Sequence, residues 1–203
     1  MYLSRIALTV SSPDVRQCLR NCQDMHRTIM KAYDCTREEA QVLYRVLASD
    51  QKIIVYVQSE KEPQWEKLES RGFCCEEKRD ITSLFDAFIN DRVFRFSLLV
   101  CPTKKVRNEG KNSRRELLHS KEERIAWLKK QGEKNGFAIL EAYESGKNTI
   151  ESCNRENNHF FVSGVPFEGI LRITDQEAFQ KAFLRGIGPE KTYGFGMLMI
   201  GRV

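Results

Sequence analysis

The sequence predicts an α+β fold of two tandem ferredoxin-like (RRM-like) halves, with a basic hairpin inserted in the second. Three observations carry that prediction. The first half orders as strand, helix, strand, strand, helix, strand; the second half repeats a similar series around a longer basic insertion; and Pro102 stops an apolar strand between them. The expected domains are therefore 1–101 and 102–203.

The elements follow in order. "YLSRIALTV" alternates as an opening strand, and Pro13-Asp14 starts a helical stretch whose apolar residues Val15, Leu19, Cys22, Met25, Ile29 and Tyr33 share one face. Val42–Ala48 and Ile53–Ser59 read as strands around the polar turn Ser49-Asp50-Gln51-Lys52. "PQWEKLES" is a short helix opened by Pro63, and "RVFRFSLLVC" is the strand that closes the first half. "DITSLFDAFIND" fits either helix or loop. In the second half, Ser120 and Glu123 form a capping box before "IAWLKKQ", Phe137–Ala142 and the run Phe160–Ile173 are strands, and Asp175 caps a helix that Gly186 closes. Met197–Ile200 is the last strand.

The chain has 203 residues, and its 41% hydrophobic and 30% charged composition is that of a soluble globular protein. No apolar run reaches the roughly 18 residues of a membrane span, and the N-terminus lacks a signal-peptide pattern, so a cytoplasmic protein is expected. Seven cysteines (18, 22, 35, 74, 75, 101 and 153) are odd in number and form no C-x-x-C, so they are read as reduced thiols.

The net charge of +5 is unevenly distributed. Residues 102–134 hold eleven Lys or Arg against five Glu, which leaves the remainder of the chain about neutral. A stripe of this kind is the footprint of a polyanion-binding surface; a solvated charged face with no partner is the competing reading.

"RGIGPEKTYGFGML" carries glycines at 186, 188, 194 and 196 with Lys191 between the pairs. It is not a nucleotide-cofactor loop. The third glycine comes too late for a dinucleotide fingerprint, no room remains for a crossover helix, and no Ser or Thr follows a Gly-Lys pair. The glycines serve tight turns or a close approach of the main chain to a partner.

Among three histidines, His26 stands at the margin of the first helix's apolar stripe, followed by Arg27 and Lys31. A near-neutral imidazole beside a cation can shuttle protons at a phosphodiester, whereas a core-edge histidine satisfied by a hydrogen bond is the plainer reading. Cys18, Cys22 and His26 at i, i+4 and i+8 can in principle grip a soft metal, but no fourth ligand is evident, and small cysteines commonly fill core positions. His119 and His159 read as surface residues.

"MYLSRIAL", "MHRTIMKAY", "CPTKK", "EERIAWLKKQGEKNGFAIL" and "VPFEGILRITDQEAF…GIGPEKTYGFGML" together resemble the CasE-type endoribonucleases of CRISPR systems, in the RAMP superfamily. The resemblance runs almost the full length, in order. It implies a metal-independent enzyme without cofactor that binds the hairpin of a CRISPR repeat transcript. Such an enzyme cuts at the 3′ side of the stem base, leaves 2′,3′-cyclic phosphate and 5′-hydroxyl ends, and remains in the type I-E surveillance complex with its other subunits. It also implies His26 as the catalytic histidine and Lys31 as its assistant, although the two stand about 140° apart on an ideal helix.

RNA contacts are implied for Arg27, for Lys104, Lys105, Arg107, Lys111, Arg114 and Arg115 along the stem, and for Gly186, Gly188, Lys191, Gly194 and Gly196 at the glycine-rich loop. Gln23 departs from the tyrosine of some members, and Cys101 from the Asn that usually precedes the proline. A non-catalytic RNA-binding subunit that caps a guide RNA, with His26 structural, is the alternative expectation.

Overall fold

The computed structural model describes residues 1–49, 52–106, 114–155 and 158–203, with Arg114 and Arg155 described by backbone alone. The predicted sites Arg107 and Lys111 lie outside the described residues, and the Arg114 side chain is likewise not described.

Two antiparallel sheets form, each with the ferredoxin-like strand order. The first runs β2-β3-β1-β4, built from β1 (Tyr2–Leu8), β2 (Leu43–Ala48), β3 (Ile53–Ser59) and β4 (Phe73–Asp80). The second runs β11-β5-β10-β8, built from β5 (Val93–Val100), β8 (Phe137–Glu144), β10 (Asn158–Ile173) and β11 (Leu198–Gly201). A separate ribbon pairs β6 (Thr103–Val106) with β7 (Arg114–Leu117), and β9 (Thr149–Arg155) pairs with the first part of β10.

The strand expected to close the first half belongs instead to the second sheet. Phe94, Phe96 and Leu98 of β5 are buried among Phe88, Phe137, Phe167, Phe179 and Phe183, so the chain changes sheet between Asp80 and Val93 rather than at Pro102. The first sheet is completed by β4, whose sequence FCCEEKRD reads as polar. It is an edge strand paired with β1 alone, and beyond Phe73 it is mostly exposed or half-exposed.

The helical stretch predicted from Pro13 onward is two helices, α1 (Pro13–Arg20) and α2 (Cys22–Met30). Asn21 breaks it. With φ −144° its backbone is extended, and its Oδ1 accepts from the Gln23 amide at 3.1 Å, capping α2. A one-turn helix, α3 (Arg37–Ala40), is held by a capping box between Thr36 and Glu39. In the second half α4 (Lys121–Lys134) starts at the predicted Ser120–Glu123 box, and α5 (Gln176–Arg185) starts at Asp175.

Direct contacts join the halves. Gln58 Nε2 donates to the Phe183 carbonyl at 2.7 Å, and Arg45 Nη1 to Ser97 Oγ at 2.8 Å. The Asn154 amide donates to Asn21 Oδ1 at 3.0 Å, and beside it Cys22 is disulfide-bonded to Cys153 with Cα atoms 5.3 Å apart. The expectation of seven reduced thiols is thus corrected: five are free. No helix among the described residues is long and apolar enough to cross a membrane.

Candidate functional site

Helix α2 turns Met25, Thr28 and Ile29 into the first core. His26, one position on from Met25, is rotated about 100° from it and lines a cleft at the edge of that packing. The cleft holds about 530 Å³ and is walled by Gln23, Arg27 and Met30 of α2, by Cys35–Glu38 at the start of α3, and by Thr192 and Tyr193 of the glycine-rich loop. The fold thus brings His26 and the loop together across the two halves.

Both ring nitrogens of His26 are shielded and have no hydrogen-bond partner among the described residues. A neutral imidazole offers one donor and one acceptor, and leaving both unpaired costs about 1–3 kcal/mol each. The core-edge histidine satisfied by a hydrogen bond is therefore not what forms. Burial holds its pKa below the usual value, and the guanidinium groups of Arg37 and Arg27 add to that, outweighing an opposing Glu38.

Arg37, which sequence reasoning did not single out, is the cation that the fold adds to this cleft. Its side chain is only 19% exposed, and its one ion pair among the described residues, to Glu38, is long at 3.7 Å. Nothing in the sequence around "CTREEA" marks Arg37 as facing a histidine eleven residues earlier. Lys31 lies outside the lining: it caps the C-terminus of α2, exposed, beyond the last helical turn. The soft-metal grip of Cys18, Cys22 and His26 does not form, because Cys22 is bonded to Cys153 and the helix breaks between Cys18 and Cys22.

The four glycines of the loop all have positive φ, and the space each preserves is filled by protein. A Cβ on Gly196 would stand 2.5 Å from the Ile187 carbonyl, and one on Gly194 would stand 3.0 Å from the Tyr44 ring. Ile187 and Gly196 are also joined by a backbone hydrogen bond of 2.8 Å. The glycines let the loop fold back on itself between α5 and β11, and that compactness sets Lys191–Tyr193 against α2.

The basic stripe is divided. Lys104 lies 3.9 Å from Glu123, and Arg124 makes a bidentate pair with Glu144 at 2.7 and 2.9 Å while its Nη1 donates to the His119 carbonyl. Arg124 is thereby structural, pinning the start of α4 to β8. Lys105 and Arg115, directly opposite each other on the β6–β7 ribbon, instead line a second cleft with Gly186, Gly188 and Lys191.

A family model described as CRISPR associated protein matches residues 1–202. The CRISPR-associated endoribonuclease Cse3 of Thermus thermophilus is 30% identical over 216 residues, spanning 98% of this chain and 99% of its own length. A solved structure of CRISPR endoribonuclease Cse3 bound to 19 nt RNA superposes with a TM-score of 0.87 at 28% identity, covering 99% of this chain and 100% of that one. The CRISPR-associated protein Cas6e from Escherichia coli str. K-12 shares the fold, with a TM-score of 0.77 at 20% identity and full coverage of both chains.

Proposed function

The chain belongs to the CRISPR-associated protein family that its residues 1–202 match, and from that premise we propose that it is a metal-independent endoribonuclease acting on the stem-loop of CRISPR repeat transcripts. The observation that carries this reading is His26, with no partner at either nitrogen among the described residues, in a cleft whose walls also supply guanidinium groups and the glycine-rich loop. The match to an RNA-bound endoribonuclease over the whole chain supports the substrate class.

In RNA the nucleophile is internal. The 2′-oxygen attacks the adjacent phosphorus, the bond to the 5′-oxygen breaks, and the products are a 2′,3′-cyclic phosphate and a 5′-hydroxyl. The protein has to hold the phosphate in line, take the 2′-proton, return a proton to the leaving oxygen and offset charge on the phosphorane. With its pKa depressed, His26 is neutral near pH 7 and is the base for the 2′-hydroxyl. Arg27 and Arg37 face the same cleft and stabilise the charge that develops there. Lys31, exposed and without an ion pair among the described residues, adds charge from the end of α2 on its long stem. The product hairpin stays bound, and the protein serves as a subunit of the type I-E surveillance complex.

The test is a labelled repeat hairpin incubated in excess EDTA with wild type, with His26→Ala, and with a substrate carrying one 2′-deoxy sugar at the cut. Cutting by wild type alone, with a cyclic-phosphate end, is the expected result. Removal of a general base costs roughly 10²–10⁴-fold in rate while leaving binding in place. Tight binding without cutting by any version would assign the protein to the non-catalytic guide-capping class instead.

A further inference from the structure

The second cleft has a composition that phosphate binding alone does not require. It holds about 450 Å³ between the β6–β7 ribbon, α4 and the glycine-rich loop. Lys105 and Arg115 sit directly across the ribbon from each other, a like-charge pairing that is unfavourable unless an anion joins it, and Lys191 faces them from the loop. No carboxylate lines this cleft among the described residues. Trp127 and Gln131, one turn apart on α4, line its floor together with Asn135, the residue that caps the C-terminus of that helix.

This floor is suited to a nucleobase. Gly188 packs against Trp127, where an added Cβ would lie 3.1 Å from the indole, so the loop backbone fixes the ring in the cleft wall. Asn135 Nδ2 donates to the Gln131 carbonyl at 2.7 Å, which holds the amide in place and leaves its Oδ1 as an acceptor. The Gln131 side chain has no partner among the described residues. A half-buried aromatic with two amides and three cations is the set that stacks a base, reads its edge and holds its phosphates.

The two clefts share a wall. Lys191 lines this one while its neighbours Thr192 and Tyr193 line that of His26; burial, and after it the nearby Arg37 and Arg185, lowers the pKa of Lys191. Resting on the endoribonuclease reading above, we propose that the RNA strand passes from the His26 cleft over Lys191 and seats one unpaired nucleotide beside the cut in the second cleft. Its base stacks on Trp127 and faces Gln131 and Asn135, and its flanking phosphates lie on Lys105, Arg115 and Lys191.

The experiment uses the full-length protein and the repeat hairpin with its single-stranded flanks, blocked by a 2′-deoxy sugar at the cut. Single abasic sites are placed at each unpaired position near the cut, and affinity is measured for wild type, Trp127→Leu and Trp127→Phe, each checked for an unchanged melting temperature. One abasic position is expected to weaken wild-type binding by roughly 5- to 150-fold, the range for one stacked base, and to add nothing further in Trp127→Leu. Trp127→Phe retains most of the affinity.

Intrinsic fluorescence gives an independent reading, because the chain has only two tryptophans and Trp65 is buried in the first core. Quenching by RNA is expected in wild type and is lost in Trp127→Phe. If wild type binds the blocked RNA and cuts the unblocked hairpin but no abasic site couples to Trp127, the stacking site is overturned and the endoribonuclease reading stands. If wild type binds no RNA, both fall.

Discussion

The Tyr44 hydroxyl donates to the Thr192 carbonyl at 3.1 Å, joining strand β2 of the first sheet to the loop that walls the His26 cleft from the second half. Tyr44→Phe keeps the ring and removes only this bond. A destabilisation of about 1 kcal/mol is expected in a urea melt. Cleavage falls several-fold as well, because Thr192 and Tyr193 lose part of their registration against α2; an unchanged cleavage rate would show that the loop is held without it.

The pH dependence follows from His26. Burial, then Arg37 and Arg27, lower its pKa from the ordinary value of about 6.5, so the neutral base predominates at pH 7. As pH falls through the depressed folded value the base is protonated, so kcat/KM should fall on an acid limb whose midpoint lies below about 6.5. Arg37→Gln removes a neighbouring positive charge and moves that midpoint upward. The same shift has a stability consequence. The unfolded chain takes up the proton first, so stability present above about pH 6.5 is lost on acidification, and His26→Gln flattens that dependence.

Thiol titration examines the Cys22–Cys153 bond. Protein denatured without reductant should give five reactive thiols, rising to seven after reduction. Cys153→Ser unties two segments 131 residues apart in sequence and should cost about 2–4 kcal/mol. Seven thiols in the unreduced protein would remove the cross-link from this account.

Two glycines near the C-terminus should respond differently to alanine. At Gly196, with φ +83°, a methyl group meets the Ile187 carbonyl, and a loss of at least about 2 kcal/mol is expected in thermal or chemical melts. At Gly201 nothing lies within 4 Å of the added carbon, and Gly201→Ala should stay within about 0.5 kcal/mol of wild type.

Salt titration separates the cations of the β6–β7 ribbon. Lys105→Gln and Arg115→Gln should each reduce the slope of log affinity against log salt by about 1, since each removes one phosphate contact. Lys104→Gln is expected to change it less, because Lys104 is turned toward Glu123. Equal slopes for all three would mean that the RNA does not distinguish the two faces of the ribbon.

Local periodicity and capping were enough to place several elements from the chain alone. The alternation of Ser4, Ile6 and Leu8 made β1, the Ser120–Glu123 and Asp175 caps started α4 and α5, and of the charge clustered in the sequence over 102–134 the fold turns Lys105 and Arg115 into one cleft while Arg124 is tied to Glu144. That His26 stands at the edge of an apolar stripe was legible from the sequence, and the resemblance of "MHRTIMKAY" to a known family made it a candidate; that it lines a cleft is what the fold adds.

The partners of these residues were settled by packing. The pattern of β5 says that Phe94, Phe96 and Leu98 share a face but not which core they enter, and β4 hides at an edge because one pairing neighbour suffices for a polar strand. Arg37 faces His26, and Cys22 meets Cys153, through turns and sheet packing that no spacing in the chain records. A residue's neighbours in sequence set which way it points on its element; what it meets there depends on where the other half of the chain packs.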